Sequence, residues 1–367
     1  MLLIFATVLV DEFQALICFV TIHSKIIWIT QRDGLHLGVS DNSTGRCPVC
    51  KTDEATRLFQ ASDADTGARR FDVLRCSTCG LARTNPILAE TELADYYAQD
   101  YYGTGERKFA PPLEKLVQWT NQMRGRRLLS RLGPREAGHT RRRILDIGCG
   151  RGGLLRTLSA LDCDCYGLER ADFTPPGDAA GFTYKFGELL AQDFPEESFD
   201  LVVIWHVLEH LPDPAATLGQ ATGLLRPGGV LALAVPNFAS RQARWFTVDW
   251  FHLDLPRHLW HFTANDLNGL CESLGLNRQH SSGLSLEQNP FGFIQSFMNH
   301  LFSGAPNRFY RTLTSGYGRK RTDLTFWGLL ALLLLPVALL ETLLSTGPAQ
   351  GATLIQYWEK PCCTVSA

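Results

Sequence analysis

The sequence predicts a doubly wound, Rossmann-like α/β fold preceded by a small metal-bound module, and three observations carry that expectation. Apolar runs of strand length, at residues 143–147, 199–204 and 230–235, alternate with stretches of helical periodicity. A glycine-rich turn, Gly148-Cys149-Gly150-Arg151-Gly152-Gly153, opens directly from the first run. Two C-x-x-C pairs, Cys47/Cys50 and Cys76/Cys79, lie upstream.

Composition sets the bounds. The 367 residues exceed one typical domain, and 45% hydrophobic with 20% charged residues is enough to bury a full core. A formal net charge of -2 argues against a nucleic-acid partner, which would select a basic surface. Of eleven cysteines, four form the two pairs and the other seven are scattered along the chain with no further C-x-x-C spacing. That distribution fits thiols in a reducing, cytoplasmic setting better than a disulfide scaffold. Residues 1–45 form a hydrophobic extension broken by Asp11, Glu12, His23 and Lys25. No Lys or Arg precedes its first apolar run, so it matches a signal peptide poorly. It reads either as a membrane-proximal anchor or as a loosely defined extension.

Residues 46–90 read as a zinc ribbon. Two tight turns would each present two thiolates, and four soft ligands suit tetrahedral zinc. The segment between the pairs is too small to fold on apolar burial alone, so metal binding would supply the folding energy. With no ligand position left over, the zinc would be structural. The tyrosines of residues 95–102 read as packing. The arginines of residues 124–143 read as a solvated helix followed by a linker.

A domain over residues 91–285 carries the chemistry. After the glycine turn, Leu154, Leu155, Leu158 and Leu161 mark one face of a helix. Glu169 ends the next strand with a carboxylate placed for ribose hydroxyls. Gly148, Gly150 and Gly153 also satisfy the dinucleotide fingerprint, so a nicotinamide dinucleotide and S-adenosylmethionine both fit this turn. Asp146, two residues before the first glycine, would repel a pyrophosphate but attract the methionine ammonium, which favours the methyl donor. The buried run 199–204 is followed by Trp205-His206-Val207-Leu208-Glu209-His210. Asp213 caps a helix with Pro214 in its first turn and Leu218, Ala221, Leu224 and Leu225 inward. Arg226-Pro227-Gly228-Gly229 turns into the run at 230–235. Thr263 caps a later helix with Leu267, Leu270 and Leu274 inward and Gly275 at its end. A hydrophobic insertion, residues 286–348, holds an amphipathic stretch at 291–302 and a wholly apolar one at 326–340. Residues 349–367 supply a closing strand and tail.

The motifs LDIGCGRGG, FDLVVIWHVLEHLPDP and LLRPGGVLALAVPN, with Glu169 between the first two, together resemble the class I S-adenosylmethionine-dependent methyltransferases. The branch that includes ubiquinone-biosynthesis O-methyltransferases is the one they most resemble, over residues 140–285. The preceding zinc ribbon and the later Leu253-Asp254-Leu255-Pro256-Arg257-His258 resemble bacterial members that pair such modules, some of which modify sugars or surface glycans. The resemblance implies a seven-stranded sheet, with residues 276–282 as its sixth strand and 351–358 as its closing antiparallel strand. It implies that Asp146, Gly148 and Gly150 line the methionine side of the cofactor and that Glu169 holds its ribose. It places Asp193 near the adenine and His206 beside the cofactor.

An oxygen or carbon acceptor also needs a base. His210 and His258 are the candidates, with Glu209 to orient a histidine or bind a metal, while His252 and His261 read as structural. The acceptor is a small molecule, a glycan or a lipid-linked compound. The 326–340 run reads either as a re-entrant or interfacial helix that adds a membrane surface as a partner or as a helix buried against the sheet. Two rival readings are a zinc-ribbon binding protein on a non-catalytic methyltransferase scaffold, and an NAD-dependent oxidoreductase.

Overall fold

The structure, a computed structural model, describes residues 46–97, 111–134, 141–175, 181–302, 306–314 and 321–362. The extension 1–45, Tyr101 and Tyr102 of the tyrosine cluster, and Cys363 lie outside the described residues. The ribbon supplies β1 (Ala55–Ser62), β2 (Arg70–Cys76) and β3 (Ala82–Asn85), an antiparallel meander. Two helices follow, α1 (Glu90–Asp95) and α2 (Pro111–Leu129). Then come β4 (Arg142–Ile147), α3 (Gly153–Ser159), β5 (Cys163–Glu169), β6 (Thr183–Phe186), β7 (Phe199–Trp205), α4 (Pro214–Leu224) and β8 (Leu225–Pro236). The chain continues through α5 (Arg241–Phe246), β9 (Trp260–His261), α6 (Ala264–Ser273), β10 (Asn277–Ser282), α7 (Asn289–Leu301), α8 (Arg308–Leu313), α9 (Arg321–Leu344) and β11 (Thr353–Glu359).

Seven strands form the main sheet in the order β10-β11-β8-β7-β4-β5-β6. The pairs from β8 to β6 are parallel, and β11 runs antiparallel to both β8 and β10. This is the seven-stranded arrangement the sequence implied, with the closing strand inserted between β8 and β10. Alternation along the strands sorts side chains to two faces. Leu145, Val202, Ile204, Leu231, Leu233 and Leu354 pack with α4, α6 and the ribbon. Ile144, Leu201, Val203, Ala232 and Ile355 pack with α2 and α3. The chain order reverses between β4 and β7, so their carboxyl ends open on one crevice.

Helix starts follow the sequence signals. The Asp213 side chain accepts from Ala216 N at 2.9 Å with Pro214 in the first turn, and Thr263 with Asp266 completes a capping box. Two expectations are corrected. Leu161 is exposed, because α3 ends at Ser159 and the face marked by Leu154, Leu155 and Leu158 stops there. The arginine-rich helix α2 is not wholly solvated. Leu128 is fully buried, and Gly125 lets α2 approach Thr157 and Leu158 of α3.

The ribbon is not a separate bead. Its β3 pairs with β9, Ala82 opposite His261 and Arg83 opposite Trp260, so its sheet borrows a strand from the loop beyond β8. A second apolar cluster joins Phe71 and Val73 of the ribbon to Phe246, Trp250, Phe293, Met298, Phe309, Trp327 and Ala338.

Candidate active site

At the carboxyl end of β4 the chain turns at Gly148, whose φ is +73°, a conformation that costs a side-chain-bearing residue energy. Space forbids a side chain there as well: a Cβ would lie 2.2 Å from Val207 Cγ2. Gly150, with φ +50°, instead has open space where its Cβ would be, so a ligand can approach the backbone closely. Glu169 is buried, its Oε2 accepting from Gly150 N at 2.7 Å and its Oε1 from Arg170 N at 3.2 Å. The carboxylate thereby ties the end of β5 to the glycine turn. Asp146 is buried at the end of β4. Burial pushes its carboxyl up to about 7, against the pull of Arg124 and with the help of Glu169. Asp193 is an exposed coil residue, while its neighbour Phe194 packs edge-on against Tyr166 and Phe199.

Beside this turn, at the end of β7, lies a histidine cluster. His206 adopts φ +54° and holds Nδ1 3.4 Å from Glu209 Oε1. Glu209 is 1% exposed, and neither of its oxygens meets a hydrogen-bond donor among the described residues. Burial raises its carboxyl to about 7, with His210 pulling the other way. His258 Nε2 lies 3.9 Å from Glu209 Oε1 and 3.8 Å from Asp254 Oδ2. The rings of His210 and His258 meet edge to face at 4.6 Å. A carbonyl can only accept, so His258 Nδ1, 2.8 Å from His252 O, carries the proton and leaves Nε2 with its lone pair. His210 Nδ1 is fixed the same way by Arg257 O at 3.0 Å, with Tyr97 Oη at 2.8 Å. Burial lowers every imidazole here: His206 to about 4, His252 to about 3, and both His210 and His258 below their ordinary value. These rings are neutral at pH 7 and can accept protons or ligate a metal.

The structure thus brings His206, Glu209, His210 and His258 together next to Asp146, Gly148, Gly150 and Glu169. The donor atoms of Glu209, His210 and His258 lie within 4.8 Å of one another. Two imidazoles and a carboxylate, with the imidazoles oriented by carbonyls, make a donor set suited to a divalent ion. His252, read as structural, belongs to the cluster: its ring stacks 6.4 Å from that of His206 at 14°, and its buried Nε2 has no hydrogen-bond partner among the described residues. The signal for it was the density of His and Trp in residues 250–261. His261 does have a structural contact, its Nε2 3.1 Å from Thr84 Oγ1. Sequence reasoning also missed Arg124, which stacks 4.5 Å over Trp205, pairs with Glu287 and bears electrostatically on Asp146 and His206. The cation–π contact holds its charge over the crevice. Arg257 was quoted only as part of a motif. It binds Asp254 in its own loop and Asp65 in the ribbon at 2.8 Å.

In the ribbon, Cys47 Sγ lies 3.4 Å from Cys79 Sγ, and Cys50 Sγ 3.4 Å from Cys76 Sγ. All four sulfurs fall within 4.8 Å of one another and none is in a disulfide. That spacing leaves room at the centre for one tetrahedrally coordinated ion with metal–sulfur distances of about 2.3 Å.

Residues 103–281 match the family model described as "Methyltransferase domain". A ubiquinone biosynthesis O-methyltransferase of Cereibacter sphaeroides is 30% identical over 155 residues, covering 39% of this chain and 63% of its own length. Its counterpart from Aromatoleum aromaticum is 29% identical over 181 residues, covering 45% of this chain and 76% of its own. The chain therefore spans just under two thirds of the Cereibacter relative. The solved structure of a SAM-dependent methyltransferase from Archaeoglobus fulgidus is similar over 66% of this chain and 94% of its own, with 17% identity and a TM-score of 0.41.

Proposed function

We propose that this chain, whose residues 103–281 match the methyltransferase-domain model, transfers a methyl group from S-adenosylmethionine to the oxygen of a small-molecule acceptor. The observation that carries the reading is the cluster of neutral histidines around a buried carboxylate, set beside a phosphate-averse glycine turn. Bound S-adenosylmethionine would supply an electrophilic methyl on its sulfonium. Asp146 would face the methionine ammonium, the backbone at Gly148 and Gly150 would accept close approach, and Glu169 would take the ribose hydroxyls. Asp193 would lie toward the adenine and His206 beside the cofactor, between it and the acceptor.

In this reading the acceptor oxygen attacks the methyl carbon in line as the carbon–sulfur bond breaks, and its proton passes to Nε2 of His258 or His210. Their Nδ1 atoms are already committed to carbonyls, so each ring presents only its basic nitrogen. Glu209 would stabilise the imidazolium so formed, or with the two rings hold a divalent ion that acidifies the acceptor hydroxyl. The likeness to relatives named ubiquinone biosynthesis O-methyltransferases supports an oxygen as the acceptor atom. The four ribbon cysteines would hold one structural zinc.

Calorimetry with S-adenosylmethionine and with NADH tests the cofactor, using wild type and Glu169→Ala. The expected result is binding of the methyl donor that the substitution weakens at least tenfold. Tight NADH binding with no response to S-adenosylmethionine overturns it. For the base, His258→Ala or His210→Ala should cost turnover about 10²–10⁴-fold while leaving cofactor affinity within a factor of a few. Unchanged turnover in both variants removes the assignment.

A further inference from the structure

Helix α9 is built inside out. An amphipathic helix on a water-soluble protein turns polar side chains to solvent and apolar ones to the core. Here the buried positions include Glu341 and Thr342, with Ser345 just beyond the helix, alongside Trp327, Leu334 and Ala338. The outward positions from 326 to 344 are Phe326, Leu329, Leu332, Leu333, Leu335, Pro336, Leu339, Leu340, Leu343 and Leu344. All are apolar, and Leu329 and Leu333 are 68% and 71% exposed. Leu301 and Phe302 extend the patch, Phe302 meeting Phe326 and Trp327 edge-on. The bare apolar area is on the order of 1,000 Å², above the few hundred Å² that monomers leave uncovered.

We infer that α9 lies in the plane of an anionic bilayer and seats the enzyme there. The 20 residues Thr325–Leu344 have the length and hydropathy of a membrane span, yet buried residues recur from Trp327 to Ser345 along one face. A helix held along its whole length by a water-soluble domain lies on a membrane rather than crossing it. Charge selects lipid over a second copy of the chain. In the sequence Arg319, Lys320 and Arg321 lie a few residues before the apolar window that opens at Thr325, with Asp323 the one acidic residue between. Arg241, which reaches Leu344 O, stands at the other end of the helix with exposed Arg244 one turn on. Arg241 and Arg244 at one end, a basic run in the sequence before the other, and an outward face from Phe326 to Leu344 without a polar residue match headgroups flanking acyl chains. A protein interface would need polar partners and hydrogen bonds around its rim.

The attachment continues into the site. Gln242 donates to Glu341 Oε2 at 2.8 Å and to Asn289 O at 3.0 Å, and Gly292 of α7 packs directly against His252. Resting on the methyltransferase reading, the seated enzyme would meet an amphiphilic acceptor already dissolved in the bilayer.

The test is flotation of the full chain with vesicles of phosphatidylcholine alone and with 30% phosphatidylglycerol, on the order of the anionic content that attracts basic segments. Wild type should float with the anionic vesicles and lose most of that binding in Leu329→Glu/Leu333→Glu/Leu340→Glu, whose side chains already point outward. Cofactor calorimetry on the same samples reads the domain separately, so a failure here leaves the methyltransferase reading standing. Wild type that stays out of anionic vesicles overturns the inference. So does a triple variant that floats equally well, or sedimentation showing a wild-type dimer that the triple variant abolishes.

Discussion

Gly148→Ala should break the cofactor turn, and the structure says through which neighbour. The new methyl would sit 2.2 Å from Val207 Cγ2 and 2.8 Å from Val207 Cγ1, on a backbone held at φ +73°. The left-handed conformation costs about 1–2 kcal/mol for a residue with a Cβ. The overlap adds about 1–3 kcal/mol if Val207 must shift. A loss of about 2–5 kcal/mol would be a large part of a typical stability of 5–15 kcal/mol. Val207→Ala removes both offending methyls and leaves its Cβ 3.1 Å away, so the double variant should recover the overlap but not the backbone strain. Urea unfolding of the four proteins measures this as a coupling of about 1–3 kcal/mol, with cofactor affinity following the same order. Additive effects would refute Val207 as the obstacle. A double variant as stable as Val207→Ala alone would refute the backbone term.

Two further outcomes are expected. Asp146 holds its proton up to about pH 7 because it is buried, and an ammonium ligand prefers the ionised carboxylate. Cofactor affinity should therefore fall as pH drops from 8 to 6, by about five- to tenfold, and Asp146→Asn should flatten that dependence. The same shift means that the native state keeps a proton the unfolded chain releases near its ordinary carboxylate value, so Asp146 weakens stability as pH rises from there through 7. Titration calorimetry across that range decides, and a profile unchanged by the substitution would refute it. Cys76→Ser, or a strong chelator on the wild type, should remove one equivalent of zinc by elemental analysis and lower the melting temperature by several degrees. Zinc retained at one equivalent after loss of two thiols would refute the site.

What the sequence revealed was largely what is local. The glycine turn, Asp146, Glu169 and the Asp213 and Thr263 caps lie within a few residues of the strands and helices they serve, and pattern alone places them. The histidine cluster needs two segments, 206–210 and 252–258, brought together by the return of the chain after β8. His210 and His258 could be named as residue types, but their shared contact could not be read, and His252 went unrecognised. Arg124 was lost because a basic helix gives no sign of which arginine faces inward. The hydropathy of residues 326–340 marked an apolar helix without saying which side the protein covers. That depended on Glu341, Thr342 and Ser345 being the residues turned inward.

The ribbon's place beside His258 is the relation least visible in the sequence, since the Thr84–His258 contact crosses 174 residues. Thr84 Oγ1 donates to His258 O, Thr84 N to Leu259 O at 3.0 Å, and Ala64 N to Leu255 O at 2.8 Å. Asp65 meanwhile holds Arg257, whose carbonyl sets the tautomer of His210. The segment that carries both the orienting carbonyls and His258 is thus gripped along residues 255–261 by the ribbon's hairpin and third strand. The apolar contacts of Phe71 and Val73 share in that grip, and an ion held by the four cysteines would tighten it. The metal would then act on the chemistry without touching it: losing it frees the 252–258 loop, and the two Nε2 lone pairs lose their common direction before the cofactor turn, built on β4 and β5, is disturbed.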